Sequence, residues 1–337
     1  MGAPVIGVQN QGYPPVGTLA VGFGWRNQYS DKHYVGSEYQ EERTTEGSEV
    51  INNMNLADLS FGYQATKRVS LSLTVPFVMA TRSQALRNSI TRELIERYQT
   101  RANGVGDIVF VARRWMLDPD TSIGGNLQLG LGFKVPSGEA NVTDTFRVFS
   151  ATPAPNGTVT NAVRTVDQSI QPGDGGFGIV GEAAGFKGFR EGKFVVYGSG
   201  AYLAQPQTVS GVQTYRGGSG EAIMSIGDQY LVRAGAAFPI PGTTTMSAAF
   251  GIRAEGVKVK DLFGGSEGFR RPGVAVSIEP IFNFGKGNNA FSFGVPFAVY
   301  RNRKVSVPDE AAGRHGDAAF ADYLIMAGYT RSFNLKK

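Results

Sequence analysis

A rhythm limits what this chain can fold into. Apolar side chains take every second position in stretch after stretch from Leu19 to Phe333, and the connections between the stretches alternate long and short. A period of two belongs to a strand whose faces meet different surroundings. Residues 69–79 show it clearly, with Val69, Leu71, Leu73, Val75, Phe77 and Met79 on one face and Ser70, Ser72, Thr74, Pro76 and Val78 on the other. One such strand would also suit a soluble sandwich, so repetition decides. The series opens with Leu19, Val21, Phe23 and Trp25, continues through Ala57, Leu59, Phe61 and Tyr63, and closes with Tyr323, Ile325, Ala327, Tyr329 and Phe333.

The pattern predicts about twelve strands. Connections beginning near Asp31, Thr81, Ser137, Gln205, Lys258 and Arg303 are long, and those near Thr66, Leu117, Lys187, Pro239 and Gly285 are short. An even number of strands with this alternation is the signature of a transmembrane β-barrel with short periplasmic turns and long extracellular loops. In hydrocarbon a sheet survives only when closed, because every backbone donor and acceptor must be paired. The expected fold is therefore all-β: a single closed antiparallel transmembrane barrel over residues 16–335, preceded by an irregular periplasmic segment, 1–15. Both termini then lie in the periplasm of a bacterium with an outer membrane. Within the long connection after Thr81, residues 90–99 have the pattern of a short amphipathic helix, and a fourth strand is expected over 107–115 with its faces unassigned.

Composition removes other classes. No apolar run approaches the roughly 18 to 20 residues of a membrane helix. The chain has no Cys, which rules out disulfides and thiolate metal sites, and its +5 charge is dispersed rather than gathered in a basic stripe, so no nucleic-acid partner is expected. Met1-Gly2-Ala3-Pro4 shows no signal peptide, which fits a cytosolic protein or numbering from a processed terminus. Trp25 is expected at the upper interfacial level; Trp115 suits the lower interface and core packing equally. Pro76 and Pro296, each in a Val-Pro-Phe triplet, and Pro136 are expected at the upper rim, where they bend the wall or end its strands.

Several short motifs carry a family likeness. Residues 55–77 with Leu59-Ser60-Phe61-Gly62-Tyr63, then Gly104-Val105-Gly106-Asp107, residues 129–138 ending Gly-Phe-Lys-Val-Pro-Ser-Gly, and Gly268-Phe269-Arg270-Arg271-Pro272-Gly273 resemble the meta-pathway phenol-degradation family of outer-membrane proteins. The likeness covers most of the chain. It implies a barrel that helps small organic compounds, aromatic ones included, across the outer membrane, and it transfers no ligand residue. The chain departs from the usual terminal aromatic of bacterial barrels by continuing four residues beyond Phe333.

Face parity gives the lumen Arg26, Asp58, Lys134, Glu182, Arg233, Arg253, Glu255 and Glu279, with Asp107 and Arg113 from the ambiguous fourth strand. In a barrel of this size these charges are expected to pair and narrow the channel, helped by the 137–174 loop. The sequence implies no enzyme, cofactor or metal. A hydrolase would need His33 or His315, the only two histidines, which fall in the first and last long loops and read as solvated. Expected partners are outer-membrane lipid and lipopolysaccharide, a small organic solute, and a protein at the extracellular loops. The alternative is a structural or partner-binding barrel with a plugged lumen.

Overall fold

The computed structural model describes residues 13–152, 157–190 and 193–335. Most of the expected 1–15 lead-in lies outside the described residues. The alternating segments form β1 (Thr18–Val35), β2 (Ile51–Gln64), β3 (Val69–Arg87), β4 (Leu94–Val105 and Ile108–Trp115), β5 (Gly125–Val135) and β6 (Gly178–Phe189). They continue as β7 (Phe194–Ala204), β8 (Gln229–Pro239), β9 (Met246–Val257), β10 (Gly273–Lys286), β11 (Asn289–Gly294 and Phe297–Arg303) and β12 (Ala318–Asn334). Each pairs antiparallel with its chain neighbours, and β12 pairs with β1 from Thr18 opposite Asn334 to Tyr34 opposite Ala318. The result is a closed twelve-stranded barrel.

Alternation sorts the side chains as the period of two requires. Phe23, Leu71, Met79, Leu131, Val232, Phe250 and Ile252 point outward and are exposed, Leu131 at 68 %, whereas Arg26, Arg233, Arg253 and Glu279 point inward and are at most 4 % exposed. Such a distribution inverts a soluble protein, in which large apolar side chains fill the interior. Aromatic rings gather near both rims of the outer wall. Phe189, Phe194 and Phe238 stack at the turn end, and Phe110, Phe133 and Phe177 stack at the other.

Three expectations change. The segment after Thr81 is not a loop with a helix: β3 and β4 continue as a tall ribbon, Phe77 opposite Val105 up to Arg87 opposite Leu94, and residues 88–93 form a tight turn. There Asn88 Oδ1 accepts from the Ile90 and Thr91 amides, and Arg92 adopts φ +66°. The ladder from β3 overrides a helical pattern too short to stand alone. Second, Trp115 shares the inward face of Arg113, and Trp25 lies on the outer face partway along an 18-residue strand rather than near its upper end. Third, Pro76 does not end β3. Its carbonyl accepts from the Gly106 amide, and the break falls in the neighbouring β4 at Gly106-Asp107, whereas Pro296 interrupts its own strand, β11.

The long connections are structured. The 136–177 segment holds a hairpin, Thr143–Ser150 with Thr158–Thr165, and a 3-10 turn at Gln168–Ile170; the 205–228 segment pairs Val209–Gln213 with Ile223–Ser225. Short helices at Glu41–Thr45 and Val307–Ala311 sit in the first and last loops. Among the described residues no helix is long and apolar enough to cross a membrane, which says nothing of a β-barrel. A closed ladder of this kind resists detergent, so unheated protein is expected to run faster than boiled protein on a denaturing gel. Equal migration would contradict closure.

Candidate functional site

The barrel interior gathers the ionisable groups. Arg26 on β1 reaches Glu255 on β9 at 3.4 Å. Because β10, β11 and β12 separate these strands along the wall, the contact crosses the lumen. Glu255 also receives two bonds from Arg253, 3.1 and 2.8 Å, and Glu279 on β10 takes Arg253 at 3.5 Å and Arg233 on β8 at 2.7 Å. Arg233 and Arg253 are direct cross-strand partners. Like charges so placed repel, and Glu279 between them makes the pairing tolerable. Asp58 on β2 adds a nearby negative charge to Arg26.

A second group lies toward β4 and β6. Arg113 holds Glu182 through two bonds, 2.6 and 3.1 Å, and donates to Ser72 Oγ at 2.7 Å. The strand between them, β5, presents Gly130 at this level, and a Cβ there would come within 3.2 Å of both Arg113 and Glu182. The missing side chain opens the space that the bridge occupies.

The third group marks where the 136–177 loop leaves and rejoins the wall. Asp107, at the break in β4, accepts from the Gly138 amide at 3.0 Å, the Asp174 amide at 3.1 Å and Lys134 Nζ at 3.0 Å; Lys134 also pairs with Asp174. Three backbones touch here. A Cβ on Gly138 would stand 2.8 Å from Gly173 Cα and 2.9 Å from the Gly106 carbonyl carbon, so only glycine fits.

From this junction the loop enters the loop-end mouth. Val166 and Ile170, both fully buried, pack on the inward side chains Met54, Leu56, Val78 and Ala80 and on Ala102. Between them Asp167 binds Arg271 through two bonds, 2.7 and 2.8 Å, with Arg216 at 3.3 Å, Arg82 at 3.5 Å and the Tyr215 hydroxyl at 3.0 Å. Arg216 and Arg271 also lie 4.0 and 4.7 Å from the centre of the Phe269 ring. One carboxylate thus ties three loops to the β3 wall.

The ten charged residues expected in the lumen lie on the inward face: Arg26, Asp58, Asp107, Lys134, Arg233, Arg253 and Glu279 are buried, and Arg113, Glu182 and Glu255 are partly buried. Sequence reasoning missed Asp167, Asp174, Arg216 and Arg271, because parity says nothing of loop residues, and Arg82, because the upper part of β3 reads as loop in the sequence. His33 is not a solvated loop residue. It lies two residues before the end of β1 at 3 % exposure, donates from Nδ1 to Asp317 at 2.7 Å and accepts from the Val50 amide at 2.8 Å, while His315 Nε2 lies 2.7 Å from the Arg303 carbonyl. Among the described residues no group of three His, Cys, Asp or Glu is placed to hold a metal.

Among solved structures the chain is similar to the COG4313 outer membrane channel from Pseudomonas putida F1, with 14% identity over 97% of this chain and 100% of that one, at a TM-score of 0.63. Looser likenesses include the translocator domain of the autotransporter NalP from Neisseria meningitidis (11% identity, 95% of this chain, 90% of that chain, TM-score 0.45) and the P. putida toluene transporter TodX (10% identity, 96% and 92%, TM-score 0.43). No family model and no curated protein matches. The first likeness shows that the fold is that of an outer-membrane barrel.

Burial alone would raise the Asp167 carboxyl, but Arg271, Arg82 and Arg216 outweigh it and hold the group well below the ordinary carboxylate range. A group depressed in the folded state adds stability above its unfolded value, about 3.9, and loses it only as pH falls through the folded value. The loop clasp is therefore expected to survive at about pH 4 and to open in stronger acid. Asp167→Asn should open it at neutral pH, at a cost of about 3–5 kcal/mol for stranding buried arginines. Limited proteolysis within residues 139–173 measures this; equal cleavage of variant and parent at neutral pH would refute the clasp.

Proposed function

We propose that this protein is a channel of the bacterial outer membrane, passing small organic solutes, aromatic or hydrophobic ones among them, through a narrow charge-lined lumen, and that it is not an enzyme. The trans-lumen contact of Arg26 with Glu255 carries the reading. It makes the middle of the barrel a passage bounded by paired charges, where solute size and charge are selected together. The exposed apolar wall with aromatic rings at both rims supports residence in a bilayer, since lipid-facing strands need an apolar band flanked by aromatic girdles. The likeness to an outer membrane channel supports transport, and the motif resemblance supports kinship with the meta-pathway phenol-degradation family.

The short turns share one rim with the start of β1 and the end of β12, and we read that rim as periplasmic; the clasped loops then face outward, toward lipopolysaccharide and any protein partner. Arg26, Asp58, Asp107, Arg113, Lys134, Glu182, Arg233, Arg253, Glu255 and Glu279 line the passage in this reading. A second reading, a structural barrel plugged by its own contents, draws support from the docking of Val166 and Ile170 in the loop-end mouth.

Single-channel recording separates the two. The channel reading expects small unitary currents from the parent and larger ones from Arg26→Ala/Glu255→Ala, which widens the passage while removing both members of one pair. Silence from a folded parent and a folded double variant would favour the plugged barrel. Residence in lipid has its own test: Leu131→Arg should lower folding stability in vesicles by about 2–4 kcal/mol if the site lies near mid-bilayer. An unchanged refolding midpoint would remove Leu131 from the hydrocarbon.

A further inference from the structure

The segment leading into β1 does not run straight out of the barrel. Gly17 is fixed at the rim, its amide donating to the Gln64 carbonyl at 2.8 Å and its carbonyl accepting from Leu335 at 3.1 Å, and it has φ +89°. That conformation suits glycine and turns the chain sharply away from the line of β1. Pro14 and Pro15 stiffen what precedes it. Four residues reach at most about 13–14 Å. This reach, with the length of a tyrosine side chain, carries Tyr13 to strands well around the wall from β1.

There Tyr13 is seated on four sides. Its hydroxyl donates to the Ser122 carbonyl at 2.8 Å and accepts from Asn126 Nδ2 at 3.0 Å. Its ring stands edge-on to Trp115, with centroids 5.2 Å apart and planes at 86°, and lies 6.4 Å from Phe186, which meets Trp115 at 6.0 Å. Trp115 and Phe186 are inward residues, on the same faces as Arg113 and Glu182. The contacts are therefore made inside the rim, and both hydrogen-bonding capacities of the phenol are used.

We infer that residues 13–17 form a strap across the terminus-bearing mouth, with Tyr13 as a latch whose seating on Trp115, Phe186, Asn126 and Ser122 narrows the exit and whose release opens it. The inference rests on the channel reading for its consequence, though the seat itself is a matter of geometry. At the opposite mouth the closure is the Asp167 clasp, formed by different residues and different forces. The latch side is held by one ring and two hydrogen bonds to uncharged groups. It is the weaker of the two closures and the one set to move.

Trp115 reports the latch directly. The chain has 2 Trp, so Trp25→Phe leaves Trp115 as the only indole. In that background, full-length protein carrying Tyr13→Ala is compared with the parent and with Tyr13→Phe, which keeps the ring and loses the hydroxyl. Iodide quenching of Trp115 and single-channel conductance are recorded on each. Tyr13→Ala should shift Trp115 emission to the red and raise both quenching and mean conductance, with an open fraction about tenfold larger if about 1.4 kcal/mol of seating is lost. Tyr13→Phe should fall between. Trp115 emission and quenching identical in Tyr13→Ala and parent would overturn the latch, whether or not current flows. Equal conductance through parent and Tyr13→Ala barrels that both conduct would overturn it as a gate. If no variant conducts but Trp115 becomes accessible in Tyr13→Ala, the latch stands and the channel reading falls.

Discussion

Everything in this molecule follows from the need to pair the backbone without an edge. A sheet that presents apolar side chains outward cannot leave a row of amides and carbonyls unpaired in an apolar medium, where each would cost several kcal/mol. The seam between the first and last strands, from Thr18 opposite Asn334 upward, removes that row. Once it is closed, inside and outside are fixed for all twelve strands together, because a slip of one residue anywhere would turn a whole strand inside out.

Closure then creates the problem that the interior charges answer. The large apolar side chains mostly face outward, and the middle of the interior is held by carboxylates and guanidinium groups paired across strands. Burying such pairs costs about as much as their attraction returns, and they are poor sources of stability. They are, however, geometrically exacting, and they fix the distance between walls that no ladder joins, as Arg26 and Glu255 do. Apolar packing is confined to patches: Val166 and Ile170 on inward Met54, Leu56, Val78 and Ala80 in the loop-end mouth, Ala237, Ala249 and Ile281 with Tyr197 on β7 to β10, and the rings of Tyr13, Trp115 and Phe186 at the turn end.

How much of this was legible in the sequence depends on the range of the interaction involved. Strand faces are local, set by a period of two, and Leu71, Phe77 and Met79 show it. Inward placement of Arg253, Glu255 and Glu279 follows from the same count. The face of Trp115 did not, since both sides of its strand are apolar and only the ladder with β5, which sets Trp115 opposite Gln128 on the face of Arg113, shows which is used. The segment 90–99 suits a helical period until its ladder partner, residues 83–87, is taken into account. The Asp167 hub was invisible because its arginines come from β3 and two other loops, and nothing nearby in sequence marks that carboxylate as different from any other in a polar loop. The short glycine motifs near 104–107 and 132–138 were visible, but their meaning emerged only when Gly106, Gly138 and Gly173 met at one point.

That meeting point has a wider consequence. Because Gly138 and Gly173 touch, the chain between them departs from the wall and returns to it at one place, clipped by Asp107. Loop length then matters little to the barrel, as the entropy of closing a loop grows only slowly with the residues inside it. The excursion behaves as a module with a fixed socket: its contents can be rewritten, lengthened or replaced while the strands on either side keep their register. A barrel built on such a wall can change what its loop carries without redesigning how it folds.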